Sequence, residues 1–288
     1  MRVSSYNIEL SNLDKVFFPE QGITKGNLIN YYKGIGETMI PLMSGRPVTM
    51  HRFPDGLGKE GFFQQEMPDY FPDWIERVTV KKKEGGSISR VICNKTADLV
   101  YLANQGCITP HIWLSQKGSL NYPNRMIFDL DPADDDFKTV CQGALLLKDL
   151  LLSRELTPFV MTTGSKGLHV VVPLNGKEDF DTVREFAKKI AELAASKKPD
   201  QFTTEQRKNK RQGRLYLDVS RNAYGQTAVA PYAVRPIEGA PVATPLDWHE
   251  LKKGNLTAQK YNINNLFRRL AQKKDPWKDL DKRSTSLF

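Results

Sequence analysis

An α+β fold is predicted by three features of the 288-residue sequence. Strand-like apolar runs and helical segments follow one another without regular alternation, no internal repeat recurs, and no low-complexity linker divides the chain. A chain of this length buries a substantial core, as one large domain or as two parts sharing a cleft. It reads as a single domain over 1–288, with an N-terminal part over about 1–110, a second part over about 111–270 and a polar tail over 273–288.

Residues 5–20 read as extended. Pro19-Glu20-Gln21-Gly22 then supplies turn chemistry ahead of Thr24, the predicted N-cap of a helix over about 25–40 that Pro41 stops. Pro47 to Phe53 alternates as a strand, and Phe62-Phe63 follow a glycine-rich loop. Two β-prone runs within 77–94 flank Lys81-Lys82-Lys83-Glu84-Gly85-Gly86, a hairpin with a basic tip. Ala97 to Gln105 reads as a short helix. Arg125 to Asp131 is an apolar strand ended by Pro132, with a helix over about 137–153 behind it. Strands over 158–162 and 168–173 enclose Thr163-Gly164-Ser165-Lys166-Gly167. Helices over 179–196 and near 203–211 lead to a strand over 214–219, proline-punctuated loops over 231–245, a last helix over 257–272 and a frayed tail.

Apolar residues make up 40% of the chain and charged residues 26%, and no apolar run reaches the roughly 20 residues that span a bilayer. The N-terminus lacks the basic-then-apolar layout of a secretion signal, which predicts a cytoplasmic protein. Cys93, Cys107 and Cys141 are odd in number and have no C-x-x-C spacing, so they read as reduced, buried thiols rather than a disulfide framework or zinc ribbon. Forty-two Lys and Arg against 33 Asp and Glu give a formal +9, which favours a polyanionic partner without identifying it.

Successive side chains on a strand alternate in direction, so Asp129 and Asp131 share a face, about 7 Å apart at Cα, with Leu130 turned to the core. Two such carboxylates repel unless a cation lies between them, and Mg²⁺ or a similar hard ion takes carboxylate oxygens. The bland reading is a solvent-exposed strand end. Asp134-Asp135-Asp136 lies past Pro132 and reads as helix entry. Asp218 is a lone acid in Leu215-Tyr216-Leu217-Asp218-Val219, which calls for a metal or for a salt bridge to Arg214 or Arg221. Together the three acids repeat the layout expected where two metals serve phosphoryl transfer. Thr163 to His169 has the glycine spacing of neither a Walker A loop nor a dinucleotide fingerprint. Its glycines let N–H groups approach an oxyanion and Lys166 brings charge; an ordinary tight turn is the alternative. His169 and His111 each read as a phosphate donor or as a satisfied core histidine.

The D-x-D, T-G-S-K-G-x-H and strand-Asp segments, with Tyr232-Ala233-Val234-Arg235 behind them, resemble the archaeo-eukaryotic primase superfamily, and more narrowly the LigD polymerase domain. Leu13 to Pro19, Ile23-Thr24-Lys25, Tyr31-Tyr32, Gly45 to Val48, Gly61 to Gln64, Pro72-Asp73-Trp74 and Leu102 to Gln105 carry the resemblance from about residue 8 to 270. It implies a primase-like catalytic core of mixed and antiparallel sheets flanked by helices, with the active site in a central cleft. It also implies a DNA-end-binding role for the N-terminal part.

The resemblance further implies that Asp129, Asp131 and Asp218 are catalytic and hold two metal ions, Mn²⁺ or Mg²⁺. His111, Thr163, Ser165, Lys166, His169 and Arg235 would bind the incoming NTP or dNTP. Lys15 and Lys25 would bind the DNA 5′-phosphate in one anion pocket, and Phe62 or Phe63 would stack on a template base, the other being free to serve the core. Lys81 to Arg90 would be an arm that helps to bring two DNA ends together, and Arg207 to Arg214 a loop near the active site. The expected activity is template-directed nucleotide addition that fills gaps and extends 3′ overhangs in non-homologous end joining, with ribonucleotides preferred. The chain shows no K-x-D-G ligase motif and no nuclease module, so it reads as a free-standing polymerase or as a domain excised from a larger ligase. For a lone polymerase domain a separate DNA ligase, a nuclease and the end-binding protein Ku are the expected partners, and no membrane is involved. Thr109-Pro110 departs from the acidic and aliphatic pair common in relatives, and Thr163 stands where serine is common. A replicative-type primase subunit and a non-catalytic DNA-end synapsis module are the alternatives.

Overall fold

The computed structural model describes residues 1–82, 85–133 and 136–288. In chain order the strands and helices begin β1 (Arg2–Val3), β2 (Tyr6–Asn7), β3 (Val16–Phe18), β4 (Ile23–Thr24) and α1 (Lys25–Met43). Then come β5 (Pro47–Arg52), β6 (Phe62–Gln64), β7 (Glu76–Lys81), β8 (Ser87–Ile92), α2 (Thr96–Asn104) and β9 (Cys107–Trp113). Next are β10 (Arg125–Asp131), α3 (Phe137–Leu152), β11 (Phe159–Thr162), β12 (Leu168–Pro173), α4 (Phe180–Lys197), β13 (Phe202–Thr203) and β14 (Leu215–Asp218). The last are β15 (Thr227–Val229), β16 (Pro245–Leu246) and α5 (Leu266–Gln272). The α+β class is as expected. Among the described residues no helix is long and apolar enough to cross a membrane.

These elements form two compact units that interleave along the chain. The first takes 1–118, 227–243 and 261–273; the second takes 119–226, 244–260 and 274–288.

In the first unit a sheet runs β15-β9-β5-β8-β7, with β6 added to β5. The predicted hairpin is β7–β8, paired from Glu76↔Ile92 to Lys81↔Ser87; Lys83 and Glu84 of its basic tip lie outside the described residues. Helix α1 begins where the sequence placed it, because Thr24 and Asn27 form a reciprocal capping box. It does not stop at Pro41 but runs to Met43. A proline two residues from the end loses a single hydrogen bond, its ring is exposed, and burial of Leu42 and Met43 outweighs the loss. Helix α2 approaches α1 at Gly36, where an added Cβ would lie 2.3 Å from the Thr96 hydroxyl. The predicted helix over 257–272 starts only at Leu266. Asn262 and Asn265 exchange side-chain bonds with local N–H groups, which favour turn over helix.

The second unit is a sheet ordered β13-β14-β10-β12-β11-β16. Leu130 and Leu215 reach α3 at Gly143, whose absent Cβ would stand 2.6 Å from Leu215 and 3.3 Å from Leu130. One face of β10 is therefore helix-covered, and the alternate residues emerge on the other. Buried Asn222 acts as a strand substitute on Ile127: its Oδ1 accepts from the Ile127 N–H at 2.8 Å and its Nδ2 donates to the Ile127 carbonyl at 2.7 Å. The charged helix expected near 203–211 is instead β13 followed by a short 3₁₀ turn at Lys208–Lys210. Thr203 and Glu205 side chains capture local N–H groups there, and the segment has no apolar stripe to hold a helix down. The tail is packed rather than frayed. Trp277 is buried with its indole N–H donating to the Val160 carbonyl, Leu280 is buried, and Thr285 bridges to Leu174. All three cysteines are free and buried, as expected.

Replacing Asn222 by Ala would strand the N–H and C=O of Ile127 without partners, and should lower stability by about 2–4 kcal/mol in denaturant unfolding. A loss under about 0.5 kcal/mol would show that the amide does not stand in for a strand.

Candidate active site

Asp129 lies directly opposite Asp218 on β14 and directly opposite His169 on β12, while Asp131 faces Tyr216. Opposed residues project to the same side of a sheet, so three carboxylates, an imidazole and a phenol share the face away from α3. Each acid has a donor. The Asp129 carboxylate lies 3.5 Å from His169 Nε2 and 3.7 Å from Arg221 Nε. Arg211 Nη1 donates to Asp131 at 3.0 Å. Asp218 accepts from the Tyr216 hydroxyl at 3.2 Å and from the Ser220 N–H at 2.7 Å.

The partners differ from the expected ones. Arg221 serves Asp129, Arg214 donates to main-chain carbonyls of Arg211 and Lys210, and Asp218 relies on a phenol and an N–H. Arg211 and Tyr216 were not singled out from the sequence. Tyr216 was findable, since two residues before an acid on a strand is the same face. Arg211 stacks on that ring at 3.9 Å. Burial, and then the charge of Asp218, push the Tyr216 phenol up to about 12, so it remains a donor at neutral pH.

Carboxylate oxygens brought to one face by strand register suit a hard divalent cation. Among the described residues, the side chains as they stand do not gather three or more His, Cys, Asp or Glu into a metal-holding group. Asp131 is turned to Arg211 and Asp129 to Arg221 and His169. Donor chemistry and register fit the ion, and Arg211 and Arg221 lie against the same carboxylates. His169 is buried, and its Nδ1 has no hydrogen-bond partner among the described residues, which leaves a polar atom for a ligand. Asp134 and Asp135 lie outside the described residues; Asp136 caps α3, accepting from the N–H groups of Lys138 and Thr139, as the helix-entry reading required.

The loop between β11 and β12 is shaped by Thr163. Its hydroxyl donates to the Gly167 carbonyl at 3.1 Å and accepts from the N–H groups of Ser165 and Gly167. Those N–H groups are thus engaged inside the loop instead of facing an oxyanion. Gly167 is required by contact, for a Cβ there would lie 1.9 Å from the Leu130 carbonyl, beside the acidic strand. Lys166 is exposed and Ser165 half-buried.

The remaining candidates belong to the first unit. His51 is the cross-strand partner of Phe63, and their rings stack at 4.0 Å and 10°. His111 on β9 meets the Phe63 ring edge-on at 5.5 Å. Phe62, the neighbour on the opposite face, lies under the Arg52 guanidinium at 5.6 Å. Neither phenylalanine is core: they are 47% and 59% exposed because, among the described residues, β6 pairs only with β5. Arg235 is fixed through its N–H, which donates to the Pro241 carbonyl at 2.7 Å. Burial, and then the Arg235 charge, lower His51 to about 4.

Lys15 and Lys25 are brought together: the Lys25 N–H donates to the Lys15 carbonyl at 2.8 Å. Both ammoniums already have oxygen partners. Lys15 bonds the Pro54 carbonyl and pairs with Asp55, and buried Lys25 donates to the Ser11 carbonyl at 2.7 Å. Burial, and then Lys15, lower the pKa of Lys25. Arg90, grouped by resemblance with the arm, is a core residue instead, buried against Trp113 and bonded to Thr49 and Gln65.

A family model described as the LigD primase-polymerase domain matches residues 24–277. The multifunctional non-homologous end joining protein LigD of Mycolicibacterium smegmatis is 33% identical over 247 residues, 85% of this chain and 32% of that protein. The bifunctional LigD of Bacillus subtilis is 32% identical over 274 residues, 94% of this chain and 44% of that protein. The chain therefore spans less than half the length of these relatives. Among solved structures, the polymerase domain of Mycobacterium tuberculosis Ligase D in complex with DNA superposes with a TM-score of 0.90 at 30% identity, covering 96% of this chain and 99% of that one.

The lowered pKa of His51 sets a pH dependence. Between its folded value of about 4 and the unfolded value of 6.5, only the unfolded chain binds the proton. Its contribution to stability is therefore complete above about 6.5 and is lost as pH falls toward 4. The thermal midpoint of the wild-type chain should drop more between pH 7 and 4.5 than that of His51→Gln. Parallel curves would remove His51 as the cause.

Proposed function

The chain belongs to the LigD primase-polymerase domain family, and from that premise we propose that it is a template-directed nucleotidyltransferase that fills gaps and extends DNA ends in double-strand break repair by non-homologous end joining. The observation that carries the reading is Asp129 set between Asp218 and His169 on adjacent strands, with Asp131 two residues along the same face. In this reading Asp129, Asp131 and Asp218 hold two divalent ions, Mn²⁺ or Mg²⁺. When bound, such ions lower the pKa of an attacking 3′-hydroxyl and neutralise a departing pyrophosphate.

The chain's own residues orient and hold the reactants. Register sets Asp129 and Asp218 side by side, with Asp131 two residues along the same face, on a sheet whose other face is clamped by α3; the carboxylates turn from Arg211 and Arg221 to take up the ions. Arg211 competes with any cation for Asp131, and Tyr216 holds Asp218 in place from the side. His169, Lys166 and Ser165 grip the triphosphate, with Thr163 setting the loop's shape, and His111 and Arg235 are nucleotide-binding residues in this reading. Phe63, backed by His51, offers its exposed ring to a template base, while Phe62 is occupied with Arg52. Base pairing supplies sequence choice, so the protein contacts mainly phosphates and ring faces.

Lys15 and Lys25 receive the 5′-phosphate of a recessed end. Two lysines joined through their backbones favour a doubly charged terminal phosphate over a singly charged internucleotide one, once their ammoniums leave Asp55 and Ser11. DNA as the substrate is supported by the Mycobacterium tuberculosis polymerase domain, which is described in complex with DNA. A separate ligase, a nuclease and Ku are the partners this reading adds, together with a preference for ribonucleotides.

The test is extension of a gapped, 5′-phosphorylated duplex with Mn²⁺ and either NTPs or dNTPs. Asp129→Ala and Asp218→Ala should each lower nucleotide addition by at least about 100-fold, with DNA binding largely retained. Near-normal extension by either variant would remove the metal assignment. Lys15→Ala should weaken binding to 5′-phosphorylated gaps about tenfold while leaving unphosphorylated gaps nearly unchanged. Equal losses on both would reduce this lysine to general electrostatics.

A further inference from the structure

A cavity of about 610 Å³ opens in the second unit between α4 and the outer edge of β14, and none of the three aspartates lines it. Its size falls within the roughly 300–1,000 Å³ of ordinary ligand sites. It exists because β13 covers β14 only at Leu215 and Tyr216, so the strand's edge beyond them becomes a wall. Two residues of that wall, Tyr216 and Ser220, are the ones that bond Asp218. The cavity therefore adjoins the candidate catalytic strand from its far edge.

Its chemistry is that of an anion site. Across from the strand, α4 presents Arg184 and Lys188, one turn apart. Arg184 makes no hydrogen bond or ion pair among the described residues, and neither do the hydroxyls of Thr204 and Ser220. Lys188 has only an exposed contact with Glu192 at 3.9 Å, which a phosphate would readily outcompete. Val219 adds an aliphatic patch between these groups.

We infer that this cavity is a second nucleic-acid subsite, which takes the sugar-phosphate backbone of a single strand continuing past the active site. The inference rests on the polymerase reading for the identity of the anion. Two cations, one of them partly offset by Glu192, hold a free phosphate weakly. A strand anchored elsewhere on the protein meets the same groups at an effective concentration in the millimolar range, where sparse contacts suffice. The arrangement thus favours a tethered strand over a free nucleotide.

Fluorescence-anisotropy titrations of the full chain decide the matter, using a blunt duplex and the same duplex with a single-stranded tail, across a salt series and without nucleotide. R184Q/K188Q should lose about tenfold in affinity for the tailed duplex and none for the blunt one. Its log–log salt slope on the tailed duplex should become shallower by about 1.4, the value for two phosphate contacts on a single strand. R184E/K188E should deepen the loss. Both positions are exposed on α4, whose buried side is Val183, Ala187, Ile190 and Ala194, so thermal unfolding should match wild type. Equal losses on both duplexes, or none on either, overturn the subsite. Weaker competition by pyrophosphate or NTP with tail affinity unchanged overturns the strand assignment in favour of a free phosphate ligand. Because the readout is binding, the Asp129→Ala chain should show the same tail dependence, so failure of the catalytic reading is distinguishable from failure of this one.

Discussion

Asp129 facing Asp218 across two antiparallel strands is the constraint around which the second unit is arranged. Directly opposed like charges destabilise a sheet, so their neighbours have to compensate. His169 takes the position on the other flank of Asp129, Arg221 reaches the same carboxylate, and Tyr216 and the Ser220 N–H satisfy Asp218. The opposite face carries the cohesion: Leu130 and Leu215 lock onto α3, and Asn222 completes the edge of β10. Repulsion is concentrated on one side and burial on the other, an arrangement expected where stability is traded for a site that attracts cations.

Features written in a single contiguous segment were legible. The strand carrying Asp129 and Asp131, the hairpin of β7 and β8, the Thr24 cap and the turn between β11 and β12 each announce themselves through alternation or turn chemistry. The α+β class follows from their order. What escaped was decided between distant segments. Arg211 is one of several basic residues in a charged loop, and only the approach of that loop to β10 selects it for Asp131. Arg90 looks like part of a basic arm until Trp113 and Thr49 are found around it. Trp277, in a stretch that is polar on average, pins the tail with one indole. At Pro41 and over 257–265, local rules erred in opposite directions: packing carried a helix past a proline, and asparagine side chains prevented one where the pattern favoured it.

The aromatic group on the first unit shows how the residues around a candidate side chain refine its role. Phe62 and Phe63 are indistinguishable in sequence, yet strand alternation sends one to Arg52 and the other to a parallel stack on His51. The Phe63 ring is held flat on one side by His51, and the residue is 59% exposed.

The interleaving of the two units bears on how the chain is made. Trp113 on β9 pairs with Thr227 on β15, and the intervening residues build most of the other unit. At about 5–20 residues per second of synthesis, the edge of β9 waits roughly 6–23 s after emerging from the ribosome before its partner exists. The first unit also needs 261–273 and the second 274–288, so both are completed only after that stretch has been translated, and nearly together. An open strand edge held for that long is a template for wrong pairing, which makes nascent-chain chaperoning a more pressing requirement here than for two units encoded one after the other.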